Sequence, residues 1–100
     1  MSEIVDRIVS LGVVPVIELG SVDEAEPLLE ALVAGGLPAA EITLRTPAGL
    51  EAIPLLRRSH PDALVGAGTG RTVEQARRAL DGGAQYVVSP GLDLGVVAVC

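Results

Sequence analysis

"AEITLRTP", residues 40–47, sets a glutamate and an arginine four residues apart in an otherwise apolar segment. Read as a strand, the stretch alternates. Glu41, Thr43 and Arg45 fall on one face, while Ile42 and Leu44 fall on the other. The apolar face belongs against a layer of helices. The charged face is the unusual one, because a charge removed from water is unfavourable unless it is paired or has chemistry to perform.

Three similar runs flank this one: "VVPVIEL" (13–19), "DALVGAG" (62–68) and "QYVVSP" (85–90) join "AAEITL" (39–44). Their starts lie 26, 23 and 23 residues apart, and helical patterns fill the intervals. "SVDEAEPLLEALVAGG" offers Ser21 as N-cap, acids in the first turn and Gly35–Gly36 as a stop. "TPAGLEAIPLLRRSHP" starts near Thr46 with Pro47 in its first turn and ends in Arg57, Arg58 and Pro61. "RTVEQARRALDGG" carries Thr72 as cap with Gln75 three residues on, and closes on Gly82–Gly83. A short amphipathic helix over residues 3–10 precedes the first strand, and a last helix is expected from Asp93 to Cys100. Strands and helices alternating near a 24-residue period predict right-handed βαβ units and a parallel sheet. Two architectures fit, a part of a (β/α)₈ barrel and a small doubly wound sheet. At this period a full barrel needs roughly 200 residues, so four units are half of one. Residues 1–100 read as a single domain segment with no internal boundary.

Composition narrows the function classes. Tyr86 is the only aromatic residue, which removes the stacking platforms of single-strand nucleic-acid binders. A net charge of −6 argues against nucleic acid and anionic membrane as partners. The lone cysteine, Cys100, reads as a small apolar residue without an internal disulfide partner, and a reducing, cytoplasmic setting is expected. The N-terminus has acids early and no basic region before an apolar one, unlike a signal peptide. No run approaches the roughly 20 apolar residues that span a bilayer. All seven basic residues are arginines; the chain has no lysine.

The candidate site residues cluster at strand ends. "GAGTG" (66–70) follows a strand, but a dinucleotide fingerprint requires its third glycine at position 71, which is Arg71. No P-loop is present either. The glycines either keep space open, or the local backbone and Thr69 bind substrate at the C-terminal end of the third strand, where parallel α/β folds build their sites. Glu18 ends the first strand at the same mouth. Glu41 is a mid-strand carboxylate, a type suited to general acid/base work. Arg45, at or past the strand's end, can grip a carboxylate bidentately. A purely structural Glu41–Arg45 pair is the other reading, but their Cα atoms would stand about 13 Å apart in an extended strand. His60, at a helix end, and the Arg57–Arg58 and Arg77–Arg78 pairs read as solvated surface. One histidine and one cysteine far apart in sequence make no metal set.

Taken in order, "VVPVIEL", "ALVAGGLPAAEITLRTPAGLEAI" and "VGAGTGRTVEQARRALDGGAQYVVSPGLD" resemble the N-terminal half of the 2-keto-3-deoxy-6-phosphogluconate (KDPG) and 4-hydroxy-2-oxoglutarate (KHG) aldolases. The resemblance covers essentially all 100 residues, and the combination of "EITLRT", "GAGT" and "VSPGLD" is specific. It implies a TIM (β/α)₈ barrel, here its first four βα units behind a short N-terminal helix. It also implies a homotrimeric, metal-independent class I aldolase that needs no cofactor. Such an enzyme cleaves its keto acid to pyruvate and glyceraldehyde 3-phosphate or glyoxylate through a lysine Schiff base. Glu41 would then be the acid/base residue, Arg45 and Thr69 would hold the pyruvate carboxylate, and Pro90 would shape stereoselectivity. Three features depart from the pattern. Gly70 replaces a branched apolar residue, Pro38 precedes the second strand, and the Schiff-base lysine is not in this chain. The chain alone is therefore expected to be an inactive fragment. An open half-barrel would expose sheet edges and self-associate. The competing readings are a non-catalytic half-barrel that dimerises or binds carboxylates, and a flavodoxin-like domain, for which "GAGTGR" is a poor phosphate loop.

Overall fold

The computed structural model describes residues 3–68 and 72–88. Helix α1 (Glu3–Leu11) comes first, then strand β1 (Val16–Ile17), a 3₁₀ turn (Val22–Glu24) and α2 (Ala25–Ala34). β2 (Ala39–Thr43), α3 (Pro47–Ser59), β3 (Leu64–Gly68) and α4 (Val73–Asp81) complete the described elements. The sheet is parallel with order β1-β2-β3, Glu41 lying opposite Val16 on one side and Gly66 on the other. Beyond α4 the chain returns alongside β3. Ala67 pairs with Val87 in a parallel bridge, and Val88 N–H donates to the Ala67 carbonyl at 2.8 Å. The helix expected after Asp93 lies outside the described residues.

Local chemistry explains most boundaries. The glycine pairs end α2 and α4 with the same hydrogen-bond pattern. Gly36 and Gly83 take φ of +90° and +107°, while Leu37 N–H donates to Leu32 O and Ala84 N–H to Ala79 O. This closure satisfies the last carbonyls of each helix and favours glycine at the left-handed position. Thr72 caps α4, its hydroxyl accepting from Gln75 N–H at 3.1 Å. Ser21 caps the 3₁₀ turn through Asp23 N–H rather than α2 itself. Thr46 occupies the N-cap position of α3, but its hydroxyl donates to Leu19 O at 2.6 Å and ties the β2–α3 junction to the end of β1. β1 is two residues long, shorter than the apolar run 13–19, because only Val16 and Ile17 find partners on β2.

The core lies between the sheet and the helices. Ala40, Ile42, Leu44, Val65 and Ala67 pack there with Leu19 and Leu29 and with Ala52, Ile53 and Leu56 of α3. Ile42 and Leu44 thus occupy the helix-covered face, as the alternation of "AEITL" requires. Gly49 lets α3 approach this sheet closely, since a Cβ there would run into the Thr43 carbonyl. No helix among the described residues is long and apolar enough to cross a membrane.

Candidate active site

Glu41 and Thr43 share the sheet face turned away from the helices, because their neighbours Ala40, Ile42 and Leu44 point into the core. On the neighbouring strand this face is lined by glycines. β3 reads LVGAG, and its two-residue spacing sets Gly66 and Gly68 on the same face as Glu41 and Thr43. Each glycine holds a side chain that a Cβ would displace. The Glu41 carboxylate lies over Gly68, its Oε2 2.6 Å from where a Cβ would stand, and the Tyr86 ring lies over Gly66. Because Gly68 is in register with Thr43 and Gly66 with Glu41, the carboxylate leans toward the C-terminal ends of the strands.

The electrostatics of this face follow from burial. Burial pushes the Tyr86 phenol well above its ordinary value, and the nearby Glu41 carboxylate adds to the shift. The phenol feels that charge, yet its Oη is buried without meeting hydrogen-bond geometry to any partner among the described residues. Thr43 Oγ1 is in the same condition on a side chain 4% exposed.

Arg45 sits elsewhere. β2 ends at Thr43, so the alternation does not carry through to residue 45. Arg45 is exposed and lines a polar depression of about 370 Å³ between α3 and α4, with Thr46, Glu51, Gln75 and Arg78. Glu18 is exposed just after β1. Thr69 and Pro90 lie outside the described residues, as do Gly70 and Cys100. His60 is the C-cap of α3, its Nδ1 2.9 Å from Ser59 Oγ. Among the described residues, no three His, Cys, Asp or Glu side chains gather in a way that could hold a metal ion.

Reading the sequence alone missed Tyr86 and the specific use of the two glycines. The signals were present. Two glycines at i and i+2 clear one face of a strand, and the chain's only aromatic stands in the run that follows.

Parallel βα units, with helices on one face and a carboxylate leaning toward the strand ends on the other, define part of a TIM-barrel-type α/β domain. The chain belongs to the KDPG and KHG aldolase family, whose sequence pattern matches residues 4–100. It is 46% identical over 100 residues to the 2-dehydro-3-deoxy-phosphogluconate aldolase of Treponema pallidum, covering all of this chain and 48% of that protein. The 2-keto-3-deoxy-6-phosphogluconate aldolase of Zymomonas mobilis ZM4, solved with 3-phosphoglycerate, superposes with a TM-score of 0.83 at 41% identity, covering 97% of this chain and 48% of that one. The KDPG aldolase of Legionella pneumophila, solved with pyruvate captured as a covalent carbinolamine intermediate, gives a TM-score of 0.80 at 41% identity, covering 85% and 41%. The chain spans about half the length of the curated relatives it matches.

Proposed function

We propose that this chain supplies the acid/base half of a class I keto-acid aldolase site. The observation that carries the reading is the Glu41 carboxylate, held on the face of a parallel sheet turned away from the helices and leaning toward the strands' C-terminal ends, where barrel enzymes build their sites. In this role Glu41 takes the proton from the substrate hydroxyl as the carbon–carbon bond breaks, then returns it to the enamine carbon that becomes the pyruvate methyl. Arg45 and Thr69 hold the pyruvate carboxylate, Arg45 turning in from the exposed position it occupies here. Pro90 shapes the face of attack.

The covalent carbinolamine of the Legionella pneumophila relative supports amine chemistry for the electrophilic step. Every cationic side chain of this chain is an arginine, too basic to serve as the nucleophile. The amine then belongs to a lysine that residues 1–100 do not contain, and the 100-residue chain is inactive alone. The substrate is 2-keto-3-deoxy-6-phosphogluconate, 4-hydroxy-2-oxoglutarate or both, and the working assembly is a homotrimer in the cytoplasm. The same lack of lysine favours a second reading, a half-barrel that binds carboxylates without turnover.

The deciding experiment is Glu41→Gln in the full-length protein. The aldolase reading expects kcat for retro-aldol cleavage to fall at least 100-fold, with pyruvate affinity changed less than threefold, as roughly expected for loss of a general acid/base. Equal losses in both would remove the acid/base role from Glu41. Pyruvate binding without any cleavage by the unmodified protein would establish the second reading.

A further inference from the structure

The buried phenol of Tyr86 is the least economical choice for the space it fills. Phenylalanine or leucine would fill the volume over Gly66 without a polar atom, whereas a buried hydroxyl is unfavourable until it finds a partner. Tyr86 is nevertheless fixed in place. Ala67 N–H donates to its carbonyl at 2.9 Å, Gln85 N–H donates to Val65 O at 2.8 Å, and Val88 N–H donates to Ala67 O at 2.8 Å. The backbone is thus pinned on both sides of the ring, and Gly66 seats the ring from beneath. Few rearrangements are open to Tyr86 except a small rotation of the ring and its hydroxyl.

The acceptor stands two residues further along the same strand face. Gly66 and Gly68 are separated by one residue, so their Cα atoms are about 7 Å apart. The ring occupies the first seat and the Glu41 carboxylate the second. Glu41 reaches its seat with a flexible side chain, so unlike the phenol it is free to adjust. A buried donor that meets hydrogen-bond geometry with no group among the described residues thus stands one residue spacing from a carboxylate on a flexible side chain.

We propose that Tyr86 is a positioning residue for Glu41: its Oη–H donates to one carboxylate oxygen, fixes the carboxylate's rotation and leaves the other oxygen turned to the strand-end mouth. The inference rests on the reading of Glu41 as the acid/base group for its importance, but not for its geometry. The charge sense agrees with it. Burial and the neighbouring carboxylate hold the phenol in its protonated form beyond its ordinary range, so the group beside Glu41 is a donor.

The chain provides its own probe, because Tyr86 is its only aromatic residue. The tyrosine doublet in the ultraviolet resonance Raman spectrum distinguishes a strongly donating phenol from one exchanging with water. In the 100-residue chain, the doublet is expected to show a strong donor, and Glu41→Met is expected to abolish that signature. Circular dichroism of both proteins checks that the variant keeps the fold. Should Glu41→Met unfold, Gly68→Ala is the second variant; it displaces the carboxylate alone and should weaken the signature. A solvent-exchanging phenol in the unmodified chain overturns the proposal, as does a donor signature that survives both substitutions. A strong donor signature in a full-length protein without aldolase turnover would defeat the function reading and leave this one standing.

Discussion

Oε2 of Glu41 occupies the space where a side chain on Gly68 would begin, 2.6 Å from the position of its Cβ. Two residues back, Gly66 stands in the same relation to the Tyr86 ring. The two glycines therefore respond differently to the same change. In Gly68→Ala the obstacle is the end of a flexible side chain, so the carboxylate swings aside and stability changes by less than about 1 kcal/mol. In Gly66→Ala the obstacle is a pinned aromatic ring, and overpacking should destabilise by about 1–3 kcal/mol. Urea unfolding of the two variants gives the comparison. Equal losses would mean that the carboxylate is held as firmly as the ring.

That contrast also marks how far the sequence could be read. The βα period, the glycine stops after α2 and α4 and the core face of "AEITL" follow from local rules, because each depends on residues close in sequence. The pairing of Glu41 with Gly68 and of Tyr86 with Gly66 depends on register between strands more than 20 residues apart, and no local pattern fixes it. Arg45 shows the opposite failure. Extending the alternation from Thr43 to Arg45 assumed that the strand continued, whereas the chain turns at Leu44 to reach the Thr46–Leu19 hydrogen bond. Thr46 looked like a cap by position, and its hydroxyl was recruited by tertiary structure instead.

Thr46 and Thr72 occupy the same position before their helices and do different work, so they should fail differently. Thr72→Ala removes the bond from Gln75 N–H and should cost about 1 kcal/mol. Thr72→Ser or Thr72→Asp, which keep an acceptor, should recover most of it. Thr46→Val removes the donor to Leu19 O and should cost about 1–2 kcal/mol. Here Thr46→Asp should fail to rescue, because an ionised carboxylate cannot donate. Rescue of Thr46→Val stability by Thr46→Asp in thermal melts would show that capping, not the tether, is the role of Thr46.

Thr43 Oγ1 is buried without a partner among the described residues, a condition folded proteins rarely tolerate without cause. If stability alone mattered, Thr43→Val would be the better residue, since it keeps the shape and removes an unsatisfied hydroxyl. The expected gain is about 1 kcal/mol in chemical denaturation. The hydroxyl shares its sheet face with Glu41 and is in register with Gly68, so pyruvate affinity of the full-length protein should be measured on the same variant. A stabilised protein with weakened binding would identify Thr43 as a ligand contact kept at the expense of stability. A destabilised one would show that the hydroxyl has a partner in solution.

The absence of lysine leaves the alkaline range to a single side chain. Between roughly pH 9 and 12 the chain has one side chain with an ordinary value in range, Tyr86, because the ordinary value of arginine lies above that window and that of a thiol below it. Folding raises the Tyr86 phenol above its ordinary value of 10.0, chiefly through burial and then through the Glu41 charge. Above about pH 10 the unfolded chain therefore releases a proton that the folded chain retains. The unfolded state then binds fewer protons, and the free energy of unfolding declines as pH rises. The contribution is fully present below pH 10 and lost as pH climbs toward the raised value. Although its Oη is enclosed, the Tyr86 side chain as a whole is only half-buried, so solvent screening should hold the effect below about 1 kcal/mol. Urea midpoints at pH 9 and pH 11 should show the decline in the unmodified chain and a smaller one in Tyr86→Phe. Glu41→Gln should fall between them, because it removes the charge contribution and leaves the burial. A decline of the same size in all three proteins would place its origin outside the Tyr86–Glu41 pair.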